Sequence, residues 1–162
     1  MINMEFISPT DGKLSIEETY KTIIDFIESH PENSYKLIIG TDSQPGGNKC
    51  SYVTAIVIYR KGRGGRFFYY RDNSPDKFGM KQRIFYEVSR SLEVASKITG
   101  FLAEEKELDE DIDIEIHVDV GEKGPTSNII KEVVGMVVGS GYDALIKPDA
   151  YAASTVADKY TR

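Results

Sequence analysis

The stretch YKLIIGTDSQPGGNKCSYVTAIVIY (residues 35–59) decides the fold of this chain, because an aliphatic run ends within it at a carboxylate, Asp42. The run has the composition of a strand covered on both faces, and the turn signal at residues 45–48 leads at once into a second strand over residues 51–59. An ionised carboxylate at the end of a buried strand needs hydrogen bonds, a cation or a metal to offset its desolvation. Asp-Ser before Pro-Gly-Gly is also good turn chemistry, so Asp42 alone leaves both explanations open.

A third strand and a long helix follow this hairpin. The Gly-rich turn at residues 61–65 is short, so the strand predicted at residues 66–72 must run antiparallel to the second. From Met80 to Leu102 the apolar residues recur with helical spacing, which predicts a helix that packs on the sheet. Glu87 lies on the rim of its apolar face, where it can turn toward the sheet edge or pair with Arg83 one turn back.

A second carboxylate ends the fourth predicted strand. Residues 112–120 alternate strictly between apolar and polar side chains, and the last polar residue is Asp119. Because a helix lies between them, this strand can return parallel to the first by a right-handed crossover. Asp42 and Asp119 are then expected at the same edge of neighbouring strands. Two carboxylates there repel each other unless they share a cation.

The last segment brings a further acid toward the same edge. Residues 127–138 are predicted to form a helix, and residues 142–146 a fifth strand parallel to the fourth. Pro148 suits the first turn of a final helix, so Asp149 is expected near the edge, as a helix cap or as a metal ligand. Asp158 lies nine residues further on, roughly 13 Å along a helix, and reaches the edge only if that helix begins later. Asp149 is therefore favoured over Asp158.

These elements predict an α/β fold with a five-stranded mixed sheet of order 3-2-1-4-5 and helices on both faces. A length of 162 residues fits one domain, residues 1–162, with the core in residues 35–162. Residues 1–34 form an N-terminal extension, predicted as a strand-like start and an extra helix. That helix begins at Ser15, which forms a capping box with Glu18.

Charge does not exclude a nucleic-acid partner, although the net charge is −6. Residues 104–115 hold eight of the acidic residues, and the rest of the chain has 18 acidic against 19 basic residues. Four basic residues occur at one predicted hairpin end, beside the aromatic run at residues 67–70, and such a tip can hold a nucleic-acid backbone. Alternatively, the basic side chains solvate an exposed turn and the aromatic ones pack the sheet. These four residues, the basic tip, are Arg60, Lys61, Arg63 and Arg66.

Compartment and membrane association are read from features that the chain lacks. The single cysteine, Cys50, cannot form an internal disulfide, which favours a reducing cytoplasm and an inert thiol. No apolar run approaches the roughly 20 residues that a membrane span needs, and the first five residues lack the basic start of a signal peptide. The prediction is a cytoplasmic protein without membrane contact, and its oligomeric state stays open.

Taken as a set, the strand order and the acids resemble the ribonuclease H-like superfamily, and more narrowly its uncharacterised YkuK-type branch, a domain of unknown function. The resemblance covers residue 35 to the end of the chain. It is carried by four blocks, GTDSQ at residues 40–44, YE at residues 86–87, HVDVG at residues 117–121 and KPDAYAAS at residues 147–154.

The resemblance implies a site and an activity. In that superfamily an Asp, a Glu, an Asp and a final acid hold two Mg²⁺ or Mn²⁺ ions, and these roles fall on Asp42, Glu87, Asp119 and Asp149. The implied activity is a nuclease that hydrolyses phosphodiester bonds of RNA or DNA by a two-metal mechanism.

Three other residues near the expected edge have open roles. His117 is expected on the same strand face as Asp119, where it could orient a carboxylate, handle a proton, or simply be a buried, satisfied histidine. Lys123 and Lys147 flank the edge and are either phosphate contacts or solvated.

Two other functions remain open at this point. One is a catalytically silent module of the same fold that binds nucleic acid or a protein partner. This alternative gains from the absence of an evident basic protrusion or separate hybrid-binding domain. The other is a phosphate-handling enzyme of the actin-like ATPase group, against which the lack of a second repeat counts.

Overall fold

The computed structural model describes residues 4–74, 79–104, 112–121 and 127–147, and these form seven strands and three helices. The strands are β1 (Glu5–Ser8), β2 (Gly12–Ser15), β3 (Tyr35–Gly46), β4 (Lys49–Arg60), β5 (Gly65–Ser74), β6 (Ile112–Gly121) and β7 (Asp143–Lys147). The helices are α1 (Ile16–Glu28), α2 (Met80–Glu104) and α3 (Ile130–Gly139), the last preceded by a 3₁₀ turn (Ser127–Ile129).

All seven strands belong to one mixed sheet of order β2-β1-β5-β4-β3-β6-β7. The five core strands follow the predicted order: β3, β4 and β5 form an antiparallel meander, while β6 runs parallel to β3 and β7 parallel to β6. The α/β architecture with a mixed sheet is therefore confirmed.

The predicted number of five strands is wrong, because the N-terminal extension adds two. Its strand-like start is a hairpin of β1 and β2, and β1 pairs antiparallel with the outer edge of β5 through Ile7 and Tyr69. Phe6 of this hairpin is fully buried in the main core. Pairing satisfies backbone groups that β5 would otherwise leave open at a sheet edge.

The helix of the extension begins as predicted. Ser15 is its N-cap and accepts a hydrogen bond from the Glu18 backbone N–H (3.1 Å), while the Glu18 carboxylate accepts one from the Ser15 N–H (3.0 Å). The capping box is thus complete. The buried residues of α1, among them Ile23 and Ile27, face the core.

One hydrophobic core lies between the sheet and the described helices. It joins α1, α2 and α3 to alternate residues of the strands, such as Ile39 of β3 and Ile56 of β4. A second, small cluster on the opposite face contains Val53 and Ala55. The predicted last helix lies outside the described residues, so a helix on that opposite face stays a prediction. None of the described helices is long and apolar enough to span a bilayer.

Candidate metal centre

Asp42 and Asp119 lie on neighbouring parallel strands. The register of β3 with β6 runs as far as the pair Gly40 and His117, and each aspartate lies two residues beyond that pair on its own strand. Both residues are half-buried. Since matched positions on paired strands lie about 5 Å apart, the two carboxylates share one end of the sheet.

Glu87 comes to the same place from α2. Its residue is only 6% exposed, and one carboxylate oxygen accepts a short hydrogen bond from the Ser43 hydroxyl. Burial is the main cause that raises the pKa of Glu87 to about 8; the hydrogen bond from Ser43 opposes this shift, and the negative charges of Asp42 and Asp119 add to it. Both aspartates are therefore close enough for their negative charges to act on the Glu87 carboxyl.

The three acids approach from the two faces of the sheet. Thr41 contacts Ser91 of α2 (Oγ to Oγ, 2.8 Å), and Ser43 contacts Glu87, so both odd-numbered residues face the helix. Because side chains alternate along a strand, Asp42 departs toward the opposite face. Thr41, Glu87, His117 and Asp119 line a narrow crevice.

The donor set fits a divalent cation in its chemistry. Carboxylate oxygens are the ligands that Mg²⁺ and Mn²⁺ prefer. The pKa of Glu87 is raised mainly by burial and in part by the negative charges of Asp42 and Asp119, which a cation would offset. Across the ranges that the structure describes, no three or more His, Cys, Asp or Glu side chains are grouped closely enough to hold an ion as they stand. Glu87 is engaged with Ser43, and Asp149 lies outside those ranges.

His117 is held by a chain of polar side chains. It is 6% exposed, and its Nε2 lies 3.4 Å from a carboxylate oxygen of Glu115, whose other oxygen lies 3.1 Å from the Lys36 ammonium. Burial lowers the pKa of His117, which the Glu115 carboxylate partly offsets. The ring is therefore directed toward Glu115 through Nε2, and this partner was not foreseen from the sequence.

The segment of α2 that carries Glu87 is anchored by Arg90. The Arg90 guanidinium forms an ion pair with Asp72 of β5, donates a hydrogen bond to the Tyr86 hydroxyl (2.8 Å) and lies 4.6 Å from the centre of the Tyr86 ring. The Tyr86 ring in turn packs on Tyr52 of β4, with the centroids 4.7 Å apart. Since Tyr86 immediately precedes Glu87, these contacts set where Glu87 enters the crevice.

Replacing Arg90 by Ala is expected to lower the free energy of unfolding by about 3 kcal/mol, because the pair with Asp72 is largely buried and its loss leaves a carboxylate without its cation. Urea unfolding measures the change. A double-mutant cycle with Asp72→Ala supplies the control. The sum of the losses of unfolding free energy in the two single variants should exceed the loss in the double variant by about 1 kcal/mol or more. If the two losses simply add up to that of the double variant, a direct interaction between Arg90 and Asp72 is contradicted.

The basic tip lies at the far end of the sheet from the acids. Arg60 of β4 pairs with Tyr35, whereas Asp42 pairs with Val53, so seven residues, roughly 23 Å, separate the two ends. A ligand held at the tip is therefore remote from the three acids.

Three of the four basic side chains in the tip are engaged within the protein. Arg60 donates to the Phe26 carbonyl (2.8 Å) and lies over the Phe26 ring, Lys61 pairs with Asp113 (3.2 Å), and Arg66 pairs with Asp11 (2.6 Å). The aromatic run beside the tip also packs the sheet, since Phe68 is fully buried. Three of the basic side chains of the tip therefore connect it to other parts of the protein.

Other predicted residues lie where the structure says nothing of their side chains. Lys147 ends β7, and Lys123, Asp149 and Asp158 fall outside the described residues. Ser43, in contrast, is a site residue that the sequence reasoning missed. The sequence could have indicated Ser43, because this residue directly follows Asp42 and the alternation of side chains along the strand turns it toward the helix that carries Glu87.

Comparisons with known proteins agree with this geometry. A family model described as Ribonuclease H-like matches residues 18–162. The chain is 29% identical over 167 residues to the Uncharacterized protein YkuK of Bacillus subtilis (strain 168), which covers 97% of this chain and 96% of that protein. No solved structure matches significantly. With its sheet order, its acid-bearing strand ends and this family match, the chain belongs to the ribonuclease H-like family.

Proposed function

We propose that this protein is a nuclease that depends on Mg²⁺ or Mn²⁺ and hydrolyses phosphodiester bonds of RNA or DNA. The observation that carries the proposal is Glu87, a buried carboxyl whose pKa is raised by burial and by Asp42 and Asp119, in a chain of the ribonuclease H-like family. Asp42, Glu87 and Asp119 are the proposed ligands, with Asp149 as the fourth. Two such ions, when bound, activate a water for in-line attack and stabilise the leaving oxygen.

The chain's own residues prepare this site in definite ways. Asp42 would hold the ions together with Glu87 and Asp119. In the ion-free protein the Ser43 hydroxyl donates a hydrogen bond to the Glu87 carboxyl and stabilises it. To bind an ion through the same oxygen, Glu87 would have to give up this hydrogen bond. Burial of Glu87 limits competing water, which strengthens its interaction with any cation that enters.

The native protein, freed of metal with EDTA, tests this proposal. It is incubated with end-labelled RNA, DNA, RNA–DNA hybrid and branched substrates, with and without Mg²⁺ or Mn²⁺. Cleavage of at least one substrate only in the presence of metal is expected. Calorimetric titration with MnCl₂ in the absence of nucleic acid should show binding. Failure to cleave any substrate together with no binding of Mn²⁺ would overturn the proposal.

A second candidate is a silent module of the same fold that binds nucleic acid without cutting it. It is favoured by one observation: the described acids are not grouped to hold an ion as they stand. The same substrates decide between the two. Anisotropy of a labelled strand that rises with protein in EDTA, and no turnover with either metal, would favour the module over the nuclease.

A further inference from the structure

A row of side chains crosses the sheet from Asp42 to an arginine. Asp42 of β3 pairs with Val53 of β4, and Val53 pairs with Arg71 of β5. Paired residues point to the same face of a sheet, so Arg71 and Asp42 share the face opposite α2. Two strand spacings, about 10 Å, separate their backbones. Arg71 is exposed.

Polar side chains continue this surface toward the end of the β3–β4 hairpin. In the next row Gln44, Ser51 and Asn73 are paired across the same three strands, and the Ser51 hydroxyl donates to the Asn73 side-chain oxygen (2.9 Å). This bond uses the Asn73 oxygen as the acceptor, so the amide nitrogen of this exposed residue keeps its donor hydrogens. Lys49 begins β4 one row further on, and it is exposed like Gln44 and Asn73.

The two cations of this surface, Arg71 and Lys49, differ in their pairing from three of the four cations of the basic tip. Arg60, Lys61 and Arg66 are engaged with groups of the protein. For Arg71 and Lys49, by contrast, the described part of the chain offers no hydrogen bond or ion pair to the side chain. An exposed cation without an internal partner can bind an external anion without first breaking an ion pair.

We propose that these five residues, the Arg71 surface, bind the phosphodiester backbone of a nucleic-acid strand beside the acids. The Arg71 surface comprises Gln44, Lys49, Ser51, Arg71 and Asn73. Arg71 and Lys49 contact phosphates, and the amides of Gln44 and Asn73 supply neutral hydrogen bonds to phosphate or sugar. The assignment rests on the proposed function for its substrate class, and it names which side of Asp42 the strand occupies.

Spacing fits a strand that runs on from the reacting phosphodiester. A duplex strand rises 3.4 Å per nucleotide along its axis, so a phosphate about 10 Å from Asp42 lies within about three nucleotides of the bond to be cut. The basic tip, roughly 23 Å from Asp42, is too remote to hold the same phosphates. The two arginines Arg71 and Arg63 therefore form a matched pair for testing, since both are exposed and each lies on one end of the sheet.

Fluorescence anisotropy in EDTA measures the binding of fluorescein-labelled 20-nucleotide RNA, DNA and RNA–DNA hybrid probes to the native protein, Arg71→Ala, Lys49→Ala and Arg63→Ala. For the probe that binds best, Arg71→Ala and Lys49→Ala should each weaken binding about 3- to 10-fold and reduce the slope of log K against log salt by about 1. Arg63→Ala should match the native protein. Thermal unfolding by circular dichroism confirms that the exposed substitutions leave the fold intact.

The outcomes separate this inference from the proposed function. An unchanged affinity and salt slope for Arg71→Ala overturns the inference, whether or not the native protein cleaves. The inference is also overturned if Arg63→Ala loses as much affinity for the probe as Arg71→Ala, or if the native protein binds none of the probes. If Arg71→Ala weakens binding while the native protein neither cleaves any substrate nor binds Mn²⁺, the Arg71 surface stands and the nuclease proposal fails.

Discussion

Replacing Asp42 by Asn is expected to reduce metal-dependent cleavage at least about 100-fold, since the ligand role of a metal-binding carboxylate is worth several kcal/mol of transition-state stabilisation and each 1.36 kcal/mol is tenfold in rate. Asn preserves the shape of the side chain and removes its charge. The same change should weaken Mn²⁺ binding in calorimetry at least about 10-fold. The fold should be retained, because Asp42 adds to the repulsion on Glu87 and its loss relieves that repulsion.

Asp113→Asn is the matched control for this experiment. Asp113 lies on β6, the strand that carries Asp119, but at the other end of the sheet, where its exposed carboxylate pairs with Lys61. The Asp113→Asn variant should cleave nucleic acid and bind Mn²⁺ like the native protein. Cleavage that survives Asp42→Asn, or that falls equally in Asp113→Asn, would contradict the assignment of Asp42 as a ligand.

Replacing Glu87 by Gln is expected to stabilise the metal-free protein at alkaline pH while abolishing its response to metal. Burial, with Asp42 and Asp119, raises the pKa of Glu87 from 4.5 to about 8 in the folded protein. Between these two values the unfolded chain has lost the proton and the folded chain still holds it. The native protein therefore loses stability as pH rises from 4.5 to about 8.

Gln has no proton to lose, so the stability advantage of Glu87→Gln should grow through this pH window and level off above it. At 1.36 kcal/mol per pKa unit, the shift from 4.5 to about 8 corresponds to a full advantage of about 5 kcal/mol. Urea unfolding at several pH values from 5 to 9, in EDTA, measures it. Glu93→Gln makes the same chemical change further along α2 and controls for loss of a carboxylate from that helix.

Metal provides the second half of the Glu87 test. Mn²⁺ should raise the melting temperature of the native protein at pH 8, because a bound cation favours the folded, ionised form, and it should raise that of Glu87→Gln little. A pH-independent difference between native and variant would contradict the raised pKa. Equal stabilisation of both proteins by Mn²⁺ would contradict Glu87 as a ligand.

The parts of the fold that follow from local rules were predictable. Short turns required the β3–β4–β5 meander, and the alternation over residues 112–120 indicated β6. A helix between β3 and β6 allowed the parallel pairing that the structure has. Ser15 and Glu18 marked the start of α1 correctly. In each case neighbouring residues along the chain determine the geometry.

Features that depend on contacts distant in sequence were not predictable in this way. The pairing of β1 with β5 joins Ile7 to Tyr69. The sequence of a strand of only four residues does not show which edge of the sheet the strand will cover. The charges of the basic tip are visible in the sequence. The acidic partners of Lys61 and Arg66, Asp113 and Asp11, are some fifty residues away, so only the structure shows that two of the four charges are paired within the protein.

The site falls between these two cases. The positions of Asp42 and Asp119 followed from strand order. The engagement of Glu87 with Ser43, and the anchoring of Tyr86 by Arg90, depend on how α2 lies across the sheet, which periodicity does not specify.

The β1–β2 hairpin also changes what counts as the folding unit of this protein. The ribonuclease H-like match begins at residue 18, after the hairpin, yet without the hairpin the ten-residue strand β5 would be the sheet's outer edge. An uncovered strand of that length is a template for pairing with another chain. The hairpin thus covers the edge of β5 and leaves the four-residue β2 as the outer strand, and a boundary drawn at the start of the family match would remove this cover.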